Sequence, residues 1–89
     1  MTEAGYRVRG RVQGVGFRWW TRHQATRLGL AGTVRNCADG SVEVHVRGPG
    51  AAVAELERLL TEGPPHAHVA AVEQIPYGAA AATSFDVVR

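Results

Sequence analysis

From residue 5 to residue 12 the chain alternates. Tyr6, Val8 and Val12 fall on one side, and Arg7, Arg9 and Arg11 on the other, the period-2 pattern of a strand covered on one face only. Gln13-Gly14-Val15-Gly16 interrupts this as a glycine-punctuated loop. The period then lengthens. Phe17, Trp20 or Thr21, Gln24, Ala25 and Leu28 share a helical face, which predicts a helix over 17–28 stopped by Gly29. Leu30 to Arg35 and Ser41 to Arg47 read as strands on either side of Asn36-Cys37-Ala38-Asp39-Gly40, whose Asp-Gly pair signals a hairpin. In the second of them Val42, Val44 and Val46 face one way, and Glu43, His45 and Arg47 the other. Gly48-Pro49-Gly50 breaks the chain ahead of a second amphipathic helix with Val53, Leu56, Leu59 and Leu60 inward. Gly63-Pro64-Pro65 ends it. A strand near Val69 to Ile75, a loop holding Ala79 to Ala82 and a short apolar stretch at Phe85 to Val88 complete the chain.

The order is βαββαβ with a short extra C-terminal strand. One-sided strands in this order predict an α+β, ferredoxin-like two-layer sandwich, with two helices on one face of an antiparallel sheet. With 89 residues in total, residues 1–89 make one domain. Apolar residues at 45% and charged residues at 20% are those of a globular chain rather than a disordered one. No apolar run approaches a membrane span, and the first residues lack a signal peptide's apolar stretch. Cys37 is the only cysteine, so no internal disulfide or multi-cysteine metal site is expected, and the default setting is cytoplasmic.

All ten cations are arginines against eight acids. Without lysine, Schiff-base chemistry and the P-loop lysine are excluded. A net charge of +2 is too small to imply nucleic acid. Arg7, Arg9 and Arg11 on one strand face invite an RNA-binding reading, yet the sheet face lacks the aromatic residues on which bases stack. His66 and His68 form a His-x-His pair with no further ligand nearby, so no metal is expected. His23 reads as a helix-surface residue, His45 as a solvent-face strand residue and Cys37 as a bystander thiol. Trp20 shares the inward stripe of the first helix, leaving Trp19 to cover the sheet edge or meet a partner.

The chemistry concentrates ahead of the first helix. None of the usual capping residues, Ser, Thr, Asp or Asn, stands between Val12 and Arg18. Gly14 and Gly16 permit left-handed turns that point successive amides into one concavity, where an anion would satisfy them. Arg18 in the first helical turn opposes the helix dipole by roughly 0.3–1 kcal/mol. An anion shared between its guanidinium and the amides removes that conflict. The residues alone leave this cradle and a plain tight turn with a solvated arginine equally open.

Gly10-x-Val12-Gln13-Gly14-Val15-Gly16-Phe17-Arg18, then Ala25-x-x-Leu28-Gly29-Leu30-x-Gly32-x-Val34-x-Asn36 and Asp39-Gly40-x-Val42-Glu43, resemble the acylphosphatase family from about residue 5 to residue 76. The resemblance implies hydrolysis of acyl phosphates to carboxylate and phosphate, by a monomer without cofactor or metal. It places the catalytic arginine on Arg18 and the catalytic asparagine on Asn36. Gln13, Gly14, Val15, Gly16, Phe17 and Arg18 are then the substrate-binding loop. The partners expected are a small-molecule acyl phosphate and phosphate, with neither nucleic acid nor membrane. The competing readings are a non-catalytic anion-binding accessory domain and, behind it, an RNA-binding ferredoxin-like domain.

Overall fold

The computed structural model describes residues 1–79 and 83–89. Seven elements follow the expected order: β1 (Thr2–Arg11), α1 (Phe17–Arg27), β2 (Ala31–Asn36), β3 (Val42–Gly48), α2 (Gly50–Glu62), β4 (His68–Ile75) and β5 (Phe85–Val87). The sheet order is β4-β1-β3-β2-β5. The first four strands pair antiparallel, as the one-sided patterns require. The short fifth strand joins the free edge of β2 in the parallel sense, with Phe85 opposite Gly32 and Val87 opposite Val34, so the complete sheet is mixed. The expected loop over Ala79 to Ala82 lies, from residue 80 onward, outside the described residues.

One core holds the layers together. Tyr6, Val8, Val34, Val42, Val44 and Val46 supply its floor. Phe17 and Ala25 of α1, with Val53, Leu56 and Leu60 of α2, form its roof. Helical period 3.6 places these roof positions on one stripe of each helix. In α1 the inward position is Thr21, fully buried, while Trp20 is half-buried against Phe17 at 5.4 Å between ring centroids. Leu59 also stays half-buried rather than entering the core.

Two expectations change, one at the end of β2 on the helix side and one on the opposite, helix-free face. Asn36 is not a turn residue. It is the last residue of β2 and pairs with Val42, because the turn closes one residue later through the Cys37 amide on the Ser41 carbonyl at 2.8 Å. Asp39 Oδ1 stiffens that turn by accepting from both the amide (3.0 Å) and the hydroxyl (2.6 Å) of Ser41. These bonds hold the Asp39 carboxyl down at about 2. His45 is likewise not simply solvent-facing. Its ring is half-buried between Glu43 and the Tyr77-Gly78 segment.

Candidate active site

The chain leaves β1 at Arg11, buries Val12 and turns sharply. Gly14 (φ 76°) and Gly16 (φ 79°) both occupy the left-handed region, where a side chain is disfavoured. Gly16 is the residue that caps α1; it offers no side-chain hydrogen bond, and the first turn holds no acid. The first helical bond runs from the Trp20 amide to the Gly16 carbonyl at 3.0 Å. Among the described residues, no protein group accepts from the amides of Phe17, Arg18 and Trp19 ahead of it. The helix therefore begins with unsatisfied donors and the positive end of its dipole.

Phe17 anchors this turn by burying its ring in the core at 1% exposure. Arg18 follows on the helix rim, half-buried, and pairs with no carboxylate among the described residues. A hollow of about 130 Å³ opens here, lined by Val12, Gly14, Gly16, Phe17, Arg18, Trp19 and Asn36. Two segments far apart in sequence thus share one concavity. Asn36 lines it, and its Oδ1 is buried without a hydrogen-bond partner. A buried amide oxygen left unpaired costs about 1–3 kcal/mol.

Of the six loop residues expected to bind substrate, Gly14, Gly16, Phe17 and Arg18 line the hollow. Gln13 and Val15 do not. Val15 packs against the edge of the core. The Gln13 side-chain amide turns away, donating to the carbonyls of Cys37 (2.8 Å) and Ser41 (2.9 Å). Sequence reasoning missed Val12 and Trp19. Trp19 is 61% exposed at the rim, with the Arg22 guanidinium 6.0 Å from its ring centre. Its place in the first turn beside Arg18 was the available signal.

A profile described as Acylphosphatase matches residues 4–87. The chain belongs to the acylphosphatase family. An acylphosphatase from Nitrobacter hamburgensis is 56% identical over 72 residues, spanning 81% of this chain and 73% of that protein. The crystal structure of acylphosphatase from Bacillus subtilis superposes with a TM-score of 0.92 at 32% identity, covering all of both chains. Full-length HypF in its phosphate- and nucleotide-bound form shares the fold alone, with a TM-score of 0.80 at 22% identity over 12% of that chain. The ferredoxin-like fold and the motif resemblance to acylphosphatases both stand on these likenesses.

The remaining polar groups lie elsewhere. Among the described residues no three of His, Cys, Asp and Glu cluster as a metal site, and His66 and His68 are exposed. On the open sheet face three arginines are already engaged. Arg7 binds Glu43 at 2.7 Å, Arg35 reaches the same carboxylate at 3.3 Å, and Arg9 pairs with Glu73 and Asp39. The Cys37 thiol donates to Glu43 Oε2 at 3.4 Å, and the nearby His45 bonds to the other oxygen of that carboxylate rather than to sulfur. A larger cavity of about 330 Å³ lies against the C-terminal half of α1 and contains none of the expected site residues.

Proposed function

We propose that this acylphosphatase-family protein hydrolyses acyl phosphates in the hollow between the α1 N-terminus and the end of β2. An acyl phosphate is a mixed anhydride with a good carboxylate leaving group, so the difficulty is bringing water to an anionic phosphorus. The amides of Phe17, Arg18 and Trp19, with the Arg18 guanidinium, supply donors for the phosphoryl oxygens as charge builds in the transition state. Asn36 Oδ1 accepts an O–H of the attacking water and so fixes its lone pair toward phosphorus. A carboxylate at that position would repel the substrate. The released proton passes to a phosphoryl oxygen, so no separate base is required. The observation carrying this reading is that Asn36, whose buried side-chain oxygen is unpaired, lines the same hollow as the uncapped helix start.

A matched kinetic pair tests it. Arg18→Ala is expected to weaken inhibition by inorganic phosphate and to lower kcat by about 10²–10³. Asn36→Ala is expected to lower kcat while leaving phosphate inhibition nearly unchanged. Benzoyl phosphate turnover by Asn36→Ala at the wild-type rate would refute the water-positioning role. Unchanged turnover in chelator is the result expected for a metal-free reaction.

The shared fold with part of HypF favours one other reading, an anion-binding accessory domain, for which phosphate binds without turnover. RNA binding finds less support. Arg7, Arg9 and Arg35 of the sheet face are paired with Glu43, Glu73 and Asp39, which weakens the electrostatic term that drives such binding. A cytoplasmic monomer is the setting that fits this reading, and equilibrium sedimentation checks the monomer. Among the described residues no helix is long and apolar enough to cross a membrane.

A further inference from the structure

We infer that Gln13 is a positioning residue that fixes the phosphate cradle relative to Asn36, rather than a group that binds substrate. The inference rests on the functional reading above. The side-chain amide of Gln13 has two protons, and both are committed: one bond to the Cys37 carbonyl at 2.8 Å and one to the Ser41 carbonyl at 2.9 Å. These carbonyls occupy the two legs of the β2–β3 hairpin. Cys37 directly follows Asn36, and Ser41 directly precedes Val42, the cross-strand partner of Asn36. Gln13 therefore grips the hairpin one step from the Asn36–Val42 pair.

At its other end Gln13 immediately precedes Gly14, where the left-handed turn of the cradle begins. Among the described residues, no other side-chain hydrogen bond joins residues 13–18 to residues 36–42. The two halves of the hollow are otherwise connected only through the sheet and the core. Without Gln13 the Ser41 carbonyl keeps only the Cys37 amide, at 2.8 Å and within the hairpin itself, as a donor. Removing the clamp leaves the cradle's own amides and Arg18 in place, but frees Asn36 to drift with its hairpin. Misplacement by about 1 Å is enough to lower a rate by about 10².

The clamp thus predicts a split between turnover and phosphate affinity. Gln13→Met keeps the length of the side chain and removes both donors. With benzoyl phosphate as substrate, kcat is expected to fall by about 10–100-fold, while the inhibition constant of inorganic phosphate shifts by less than about threefold. An unchanged kcat, or a phosphate constant that worsens in step with kcat, overturns the clamp. Should Gln13→Met fail to fold by circular dichroism, Gln13→Glu decides the matter. Its carboxylate has no donor at neutral pH and regains one O–H on protonation. Its kcat relative to wild type is expected to climb as pH falls, and a flat ratio overturns the clamp. Wild-type protein that does not turn over benzoyl phosphate would sink the functional reading itself, an outcome distinct from an active wild type with an equally active Gln13→Met.

Discussion

Glu43 and His45, two positions apart on β3, are joined by a hydrogen bond of 3.1 Å between Oε1 and Nε2. The Gly78 amide donates to Nδ1 of the same ring at 3.0 Å. A nitrogen that accepts carries no proton, so Nε2 bears it and donates to the carboxylate. Glu43 is thereby surrounded by donors from Arg7, His45, Cys37 and Arg35. A carboxylate that is nearly buried on an otherwise open sheet face becomes stable because every approach to it is a donor.

This arrangement sets a pH dependence of stability. The Arg7 hydrogen bond, followed by that of His45, lowers the Glu43 carboxyl from 4.5 to about 2 in the folded protein. A lowered folded value means that the stabilisation is complete above about 4.5 and is lost as pH falls toward 2. Glu43→Gln is expected to be about 2 kcal/mol less stable at neutral pH. It should also lose part of the wild-type decline in Tm between those limits. Asp39 and Glu55 are lowered in the same direction and add to the decline. Thermal unfolding across the acid range checks both.

Two glycines should respond very differently to a methyl group. A Cβ on Gly16 meets nothing within 4 Å, so Gly16→Ala pays only for its left-handed φ of 79°, about 1–2 kcal/mol. A Cβ on Gly32 would stand 1.8 Å from the His45 carbonyl oxygen, at φ 146°. Backbone must then move inside the sheet, and Gly32→Ala is expected to cost more than about 4 kcal/mol. Urea unfolding of the pair measures the difference, and equal costs would contradict it.

Thr21 offers a stabilising change. It is fully buried in α1, and its Oγ1 has no partner. Valine keeps the branched shape while removing the unsatisfied hydroxyl. Thr21→Val is expected to gain about 1 kcal/mol, raising Tm by about 4–8 °C. Turnover should stay unchanged, since Thr21 does not line the hollow. A lower Tm would show that the hydroxyl serves the fold.

What the sequence disclosed and what it withheld divide along range of interaction. Alternation alone assigned Tyr6 and Val8 to the core and Arg7 and Arg9 to the open face. The missing cap before Phe17 foretold a helix start with unsatisfied amides, because capping is a local event. The grip of Gln13 on the hairpin is not legible in the sequence, because its two acceptors lie 24 and 28 residues away, beyond any periodicity. Asn36 was placed in the turn because Asp-Gly marks a hairpin without fixing where the last rung falls. Glu43 looked like an ordinary solvent-side acid. Its burial depends on arginines from two strands, a histidine from its own strand and a thiol from the turn meeting over it.

The parallel pairing of β5 gives the end of the chain a task beyond filling space. Its rungs continue past the strand, from the Gly32 amide to Ser84 and from the Val88 amide to Val34, and Phe85 plugs the core beside them. Cleavage ahead of this segment would turn β2 into a raw margin, open to stitching by a second copy. The strip that ends at Asn36 would then fray from its outer side, so this short segment serves as the hem of β2.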